Sequence, residues 1–178
     1  MINQTDEKDD FGDALAYSAN VPLAWTESGP SPVDVFFELN EQCLQTILSL
    51  SEYHIPENTE EPTVISAIER KVDVTLKMVS ELLRRTIDMP SIKAIRLGAH
   101  EISWHEPAAL PALNAQLDLE IYLHDLYPKP FRVRGQVKSI NNQQCVVGLD
   151  SQSEDVQQLL EKFIFLHHRR AVALAKKS

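Results

Sequence analysis

The hydrophobic period of this chain changes near residue 90, and that change limits the folds that it can adopt. Before this point, apolar residues recur at spacings of three and four, which is typical of an amphipathic helix. After it, short apolar runs alternate with polar residues between turn-rich segments, which is typical of β-strands. The order of the two patterns predicts an α+β fold in which a helical segment precedes an antiparallel sheet or barrel.

Five strands are predicted after residue 90, and a further strand is predicted before the helices. QLDLEIYL alternates strictly and places Asp118 and Glu120 opposite its apolar face, as expected for a strand that covers a core on one side. FRVRGQV alternates in the same way and carries a cationic row opposite its valines. The early strand is VPLAW at 21–25, and the later ones are SIKAIRL, HEISW, QLDLEIYL, FRVRGQVKSI and QQCVVGL.

Helix boundaries are predicted from capping residues. Ser31 and Asp34, with a proline between them, supply an N-cap and a first-turn acid for a helix that runs to about His54. A polar link, HIPENTEEP, separates it from a second helix. The final helix is predicted from a capping box formed by Ser151 and Glu154, and its basic C-terminal end suits the helix dipole.

The second helix, from about residue 62 to 88, has an apolar register close to a heptad repeat. At ~1.5 Å per residue its length would be about 40 Å, whereas a domain of ~100 residues has a radius of gyration of only ~13 Å. Part of the helix should therefore protrude, and its apolar face needs a partner. The same helix of another copy is the simplest partner, so a homo-oligomer is predicted, with dimer and tetramer both open. The predicted oligomerisation residues are Ile65, Ile68, Val72, Leu76, Val79, Leu82 and Leu83.

Composition limits the partners and the location of the protein. A formal net charge of -9 opposes general binding to nucleic acid or anionic membranes. No apolar run approaches the ~20 residues that span a bilayer, and the N-terminus lacks signal-peptide features, so we expect a cytoplasmic protein.

Residues 1–14 are expected to be a disordered acidic tail. Cys43 and Cys145 lack CxxC spacing and are expected to be reduced packing residues.

One early strand, several antiparallel strands joined by short turns, and a final helix with an acidic start resemble the PilZ domain. The resemblance covers roughly residues 15–26 and 90–170. Its most specific parts are RVRGQVKSI, the strand VVGL followed by Asp150, and the helix start SEDVQQLLEKFIF. It implies a six-stranded antiparallel barrel with a C-terminal helix, in a single domain over residues 15–178. Typical members of the family are cytoplasmic receptors for cyclic di-GMP.

The two ligand-binding motifs of the family are not matched in this chain. The first, Arg-x-x-x-Arg ahead of strand one, supplies guanidinium groups for phosphate and guanine, and the matching positions here are Ala16 and Asn20. The second, Asp/Asn-x-Ser-x-x-Gly, falls on Arg96, Gly98 and Glu101. A carboxylate at 101 adds bulk and negative charge where a dianionic ligand would lie. We therefore expect that the chain does not bind cyclic di-GMP by itself.

Residues 31–89 form a long helical hairpin inserted between strands one and two, which ordinary PilZ domains join directly. The chain is similar in this respect to atypical, helix-bearing PilZ proteins, and the likeness implies that the insertion drives self-association. The leading hypothesis is a non-enzymatic, oligomeric adaptor or regulator that acts through protein partners without a cofactor. A role in motility, pilus or surface-growth regulation follows from family analogy alone.

A second hypothesis is a receptor for cyclic di-GMP or another nucleotide that uses a displaced arginine site. Alternating arginines share one face of FRVRGQV, and two more occur near the end of the final helix. The opposing interpretation is that the strand arginines pair with acids of neighbouring strands, Asp118 and Glu120 among them. The displaced site would comprise Arg96, Arg132, Arg134, Arg169 and Arg170.

The segment RLGAHEISWHE differs by one residue from the zinc signature HExxH. His100 and His105 are five residues apart, which separates them by about 140° on a helix and puts them on opposite faces of a strand. His167 and His168 are adjacent and are expected to be surface or capping residues. No metal site is predicted, and the absence of a nucleophile elbow, a P-loop and a dinucleotide-binding glycine motif predicts no enzymatic activity.

Overall fold

The computed structural model describes residues 15–29, 37–52, 64–106 and 109–175, without the side chains of residues 37, 38, 52 and 66. The expected acidic tail at 1–14, the N-cap at Ser31 and the link HIPENTEEP lie outside the described residues. The elements are β1 (Tyr17–Glu27), α1 (Phe37–Glu52), α2 (Val64–Thr86), β2 (Ile92–Leu97), β3 (Glu101–His105), β4 (Gln116–Ile121), β5 (Phe131–Asn141), β6 (Gln144–Leu149) and α3 (Glu154–Ala175).

Six antiparallel strands close into a barrel in the order β1-β2-β3-β6-β5-β4. β1 closes it, because its first half pairs with β2, with Asn20 opposite Ala94, and its second half pairs with β4, with Trp25 opposite Leu119. This double pairing requires a strand longer than the predicted 21–25, and β1 spans 11 residues. The predicted α+β class and the six-stranded barrel with a C-terminal helix are confirmed.

The core fills the barrel and continues into two of the helices. In β4, Leu117, Leu119 and Ile121 are buried while the residues between them point outward, as the alternation predicts. The largest fully buried side chains come from the strands, α1 and α3, and none of those described belongs to α2. They are Trp104, Phe131, Phe163, Leu23, Leu44, Ile47, Leu97, Ile102, Leu117, Leu119, Ile121 and Leu160.

α1 belongs to the core of the domain. Cys43, Leu44 and Ile47 are buried on one face of the helix, which packs on α3 and β5. A polar contact fixes its position: the Asn40 side-chain amide donates to the Arg132 carbonyl at 2.6 Å, and its oxygen accepts the Arg132 N–H at 2.9 Å. The β5–β6 pairing begins only at Gly135, so Arg132 has no partner strand on that side. Asn40 therefore satisfies the N–H and the carbonyl of Arg132 on this unpaired edge.

The two inserted helices follow one another between β1 and β2, and their described residues contact different parts of the domain. Among the described residues, α1 lies against α3 and β5, and no comparable contact joins it to α2. α2 instead contacts the loop after β4, where the Ser80 hydroxyl donates to the Leu126 carbonyl at 2.6 Å and Arg84 pairs with Asp125 at 2.8 Å. The reason is that the apolar face of α1 is already buried in the core. Of the predicted oligomerisation segment 31–89, α2 is therefore the described helix whose apolar face is left uncovered.

α3 begins later than the predicted capping box. The Ser153 hydroxyl accepts the Val156 N–H at 3.4 Å, and its carbonyl accepts the Gln157 N–H at 2.9 Å, so Ser153 and not Ser151 is the N-cap. The N-cap directly precedes the first helical residue, so a helix that starts at Glu154 has its N-cap at Ser153. The buried face of α3 packs on α1 and β1.

Candidate functional site

The positions that match the ligand motifs of the PilZ family lie on neighbouring strands. Asn20, Arg96 and Glu101 belong to β1, β2 and β3, and Arg96 is opposite Ser103 of β3. All three residues alternate with core residues and therefore point outward. Asn20 lies within β1 and not ahead of it, because the strand already begins at Tyr17.

The two remaining motif positions lie at one end of the same surface. The Gly98 N–H donates to the Glu101 carbonyl at 2.8 Å in the turn between β2 and β3. Ala16 directly precedes β1, and since Tyr17 is opposite Leu97, Ala16 lies beside that turn. The structure thus brings the five predicted motif positions to one face of the barrel.

An ion pair occupies the position where the second motif would have its glycine. Glu101 is 6% exposed although it points out of the barrel. Lys138 of β5 covers it, with Nζ 3.3 Å from the carboxylate, and the stem of the lysine lies over Gly148 of β6. A side chain at 148 would collide with that stem, so the glycine is what allows a lysine two strands away to reach Glu101.

The charged groups on this surface differ from those that the two family motifs would supply. Two guanidinium groups are absent at Ala16 and Asn20, so the bidentate grip that the first motif supplies cannot form there. A phosphate that recruited Lys138 would take this ion-pair partner from the nearly buried Glu101 carboxylate, and weakening the pairing of a buried charge is unfavourable. The sequence indicates Glu101 as an obstacle to the ligand, but no local pattern indicates its lysine partner.

The arginines of the displaced site are not brought together. Arg132 and Arg134 lie on β5, and Arg96 lies on β2, three strands away in either direction around the barrel. Arg169 and Arg170 lie on α3 and make different contacts. Arg169 is stacked 5.6 Å from the ring of Phe165, whereas Arg170 donates to the Ser51 carbonyl of α1 at 2.5 Å. These five residues cannot surround one small ligand in the described arrangement.

Both arginines of β5 pair with acids of β4, as the opposing interpretation expected. Arg132 lies 2.9 Å from Glu120. Arg134 grips Asp118 with two nitrogens, at 2.7 and 3.1 Å, and these hydrogen bonds hold the pKa of the carboxyl below its ordinary value. A groove of about 330 Å³ lies beside the Glu120–Arg132 pair, between β1 and β5. Arg132 and Arg134 are therefore engaged in cross-strand pairs with the acids of β4.

The apolar face of α2 is exposed along the helix. Ile65, Val72 and Leu82 are 68%, 59% and 62% exposed, and Ser80 is the buried residue among the described side chains of α2. The other predicted oligomerisation residues share this face, and all but the half-buried Leu76 are exposed; they are Ile68, Leu76, Val79 and Leu83. The heptad pattern missed a second exposed apolar pair beside this face, Val74 and Met78.

His167, predicted to be a surface or capping residue, is half-buried. Its ring packs 4.4 Å from Phe163 and 4.9 Å from Tyr17, and its Nε2 is buried without a hydrogen-bond partner among the described residues. The reason is helical spacing: four residues after Phe163, it falls on the buried face of α3. Within the described ranges, no group of three or more His, Cys, Asp or Glu side chains could hold a metal ion.

The cysteines are buried and are not joined in a disulfide. Burial raises the pKa of Cys43 to about 12 and that of Cys145 to about 11, so both thiols stay protonated and unreactive near neutral pH. They are packing residues, as predicted.

A family model described as the atypical PilZ domain, a cyclic di-GMP receptor, matches residues 48–177. The chain belongs to the atypical PilZ domain family. This match spans α2, β2 to β6 and α3, and it confirms the family that the strand and helix motifs indicated. No curated protein matches this PilZ domain significantly in sequence.

A solved structure from Xanthomonas campestris supports the same fold. It is described as a pathogenic protein with a new tetrameric PilZ domain self-assembled through an unusual helical bundle. The similarity has a TM-score of 0.68 at 19% sequence identity and covers 92% of this chain and 93% of the other. In the described part of this PilZ domain, no helix has the length and apolar character needed to cross a membrane.

Proposed function

We propose that this PilZ domain is a cytoplasmic, non-enzymatic homo-oligomer that acts as an adaptor through protein partners and does not bind cyclic di-GMP by itself. The observation that carries the proposal is the uncovered apolar face of α2. Motility, pilus or surface-growth regulation is the setting that family analogy suggests. The proposal has two parts, self-association and the absence of the ligand, and each is tested separately.

Self-association is supported by the energy available on α2. Burial of an exposed Val, Leu or Ile side chain stabilises by about 1.5–3 kcal/mol, and α2 presents several of them on one side. Contacts of α2 with the barrel are few by comparison and are centred on Ser80 and Arg84. A second copy of the same helix supplies a face of matching length and character.

The width of the apolar arc favours four copies over two. At 100° per residue, the arc from Val74 and Met78 through Ile68 to Leu76 covers roughly 200° of the helix circumference. The seam of a two-stranded coiled coil is narrower, with two apolar positions in each heptad. A helix in a four-helix bundle contacts neighbours on two sides, which suits the wider arc. The bundle described for the Xanthomonas campestris protein is a precedent for such an assembly in this fold.

Lack of ligand binding is supported by the Glu101–Lys138 pair and by the residues at positions 16 and 20. A carboxylate covered by a lysine replaces the glycine that would let a ligand approach, and no arginine pair stands ready to bind phosphate at the first motif. Protein contacts are then the remaining route by which the barrel could transmit a signal.

A second candidate function is a cyclic di-GMP receptor, and the description of the family favours it. Such a receptor would need a site other than the two family motifs. The groove of about 330 Å³ beside the Glu120–Arg132 pair is one described concavity with an arginine at its edge.

A calorimetric titration with cyclic di-GMP, on a sample whose native mass is measured by light scattering, separates the two candidates. The adaptor proposal expects no binding heat from a folded tetramer at low and at moderate salt. Micromolar or tighter binding would establish the receptor function, and Arg132→Ala would then show whether the groove is the site. A monomeric mass would refute self-association whatever the titration shows.

A further inference from the structure

The loop between β4 and β5 joins α2 to the barrel through a histidine. The Leu126 N–H donates to Nδ1 of His124 at 3.1 Å, and only a deprotonated ring nitrogen can accept such a bond. The carbonyl of Leu126 accepts the Ser80 hydroxyl of α2 at 2.6 Å. Asp125 holds Arg84 of α2 with its carboxylate at 2.8 Å and with its carbonyl at 3.2 Å. His124 therefore orders the loop that contains Asp125 and Leu126, the two residues that bind α2.

A second histidine lies close to this loop. His167 of α3 packs between Tyr17 of β1 and Phe163, and its buried Nε2 has no partner among the described residues. Burial, Arg170 and His124 all lower the pKa of His167, in that order of importance. Both imidazoles are thus held in environments that suit the neutral ring.

We propose that this junction is a pH-sensitive joint: protonation of His124 and His167 rearranges the 124–127 loop and releases α2 from the barrel. The inference does not depend on the adaptor proposal, because it concerns how one helix is attached within a single chain.

The charged and titratable groups described around His167 disfavour the protonated form of its ring. Arg170 on α3 is a cation, fixed by the Ser51 carbonyl of α1, and His124 on the loop would be a second cation when protonated. Burial and the charge of Asp125 raise the pKa of Tyr17 on β1, so the phenol stays neutral and cannot offset a positive ring. The carboxylate of Asp125 is engaged by Arg84 of α2. Protonation therefore adds repulsion that the described neighbours do not balance.

The direction of the pH effect follows from the lowered pKa. The docked form prefers neutral imidazole, so docking is at full strength above the ordinary histidine pKa of about 6.5 and weakens as pH falls below it. For His167, the ratio of released to docked chains rises by up to about tenfold per pH unit until the lower pKa of the docked state is reached.

Hydrogen exchange of the full-length protein tests the joint. Amide protection, corrected for the intrinsic pH dependence of exchange, is compared at pH 7.5 and pH 5.5 for a peptide covering 122–128, whose amides of Leu126 and Tyr127 are hydrogen-bonded within the loop. The expected result is a loss of protection of about tenfold at the lower pH, with β5 amides unchanged as a control for folding. Undiminished protection of this peptide at pH 5.5 would overturn the proposal.

Matched substitutions separate the two histidines from other titrating groups. His124→Asn keeps an oxygen that accepts the N–H two residues ahead, and His167→Phe keeps the aromatic contact, yet neither side chain titrates. The double variant should retain protection at pH 5.5, while His105→Asn, at an exposed position of β3, should behave like the natural protein. An equal loss of protection in the double variant would assign the effect to other groups and would reject the joint.

Discussion

Asn40 shows how one side chain determines where a helix lies. The residue is 1% exposed and makes two hydrogen bonds to the backbone of Arg132, on the part of β5 that precedes its pairing with β6. An apolar residue at this position would bury an N–H and a carbonyl without partners. The polar residue on an otherwise apolar face of α1 therefore completes the hydrogen bonding of the barrel edge.

Asn40→Ala should destabilise the domain substantially. Each buried backbone group that loses its partner costs about 1–3 kcal/mol, so the free energy of unfolding should fall by at least that amount. The measurement is the midpoint of urea denaturation, with Gln45→Ala, on the exposed side of α1, as the matched control. Equal midpoints for the two variants would mean that water replaces the Asn40 side chain at no cost.

Two glycines of the barrel should respond differently to the same substitution. A Cβ at Gly135 meets the Gly148 carbonyl oxygen and, at 2.8 Å, the Val147 side chain, and the backbone atom cannot move aside. A Cβ at Gly148 meets the flexible end of Lys138. Gly135→Ala should therefore lower the free energy of unfolding by about 1–3 kcal/mol through overpacking. Gly148→Ala should lower it less, because the end of Lys138 can move away from Glu101. Thermal unfolding of the two variants checks the order, which a larger loss for Gly148→Ala would contradict.

At the scale of elements, the apolar face of α1 is buried and that of α2 is exposed, although both helices are amphipathic. α1 packs its apolar face on α3 and β5, whereas α2 leaves its face uncovered and contacts the domain through the polar Ser80 and Arg84. Both patterns are helical in the sequence, and the difference lies in which surface is nearby after the barrel closes. A folded but uncovered apolar face is the property that makes α2 an assembly element.

Val72→Asp combined with Val79→Asp should lower the native mass measured by light scattering to that of a monomer. The physical reason is that two carboxylates would be buried without partners at the centre of the helical interface. Arg70→Asp with Lys77→Asp, on the polar side of α2, is the control and should leave the mass unchanged. An unchanged mass in the folded Val72 and Val79 variant would exclude α2 as the interface.

Val74→Asp combined with Met78→Asp tests the second side of the helix. If each α2 contacts neighbours on both sides, this variant should lose one set of contacts and give a dimer. A tetramer that survives both substitutions would confine the interface to the heptad face.

At the scale of the whole molecule, the barrel with α1 and α3 forms one unit of packing, and α2 is attached to it by few contacts. Most of the stability of a helix in a protein comes from the packing of its apolar face, and α2, 23 residues long, leaves that face uncovered in the single chain. The stability of α2 should therefore depend on assembly, while that of the barrel should not.

Far-ultraviolet circular dichroism of the Val72→Asp and Val79→Asp variant should show this division. The helical signal should fall towards that of α1 and α3, which have 16 and 22 residues, while the thermal midpoint of the barrel stays near that of the natural protein. Simultaneous loss of both signals at a lower temperature would show that assembly also stabilises the barrel.

Much of the fold could be predicted because periodicity is a local property. The alternation in 116–123 and 131–138 indicated β4 and β5, and the spacing from Ile65 to Leu83 indicated α2 with its outward apolar face. Prediction is poorer where the length of a strand or the burial of a side chain depends on a residue far away in the sequence. The local pattern predicts too short a β1, because it does not show the second pairing of this strand with β4. It also misses the half-burial of His167, because the contacting Tyr17 lies 150 residues away in sequence.

The sequence by itself determined the order and type of the elements, the family, and the helix with a repeating apolar face, because each of these depends on residues within a few positions of one another. The tertiary structure alone decided that α1 is covered and α2 is not, that Lys138 reaches Glu101 across Gly148, and that His124 lies close enough to His167 to lower its pKa. Barrel closure is the physical reason. It brings together side chains from distant strands, and no local pattern encodes which of them will be neighbours.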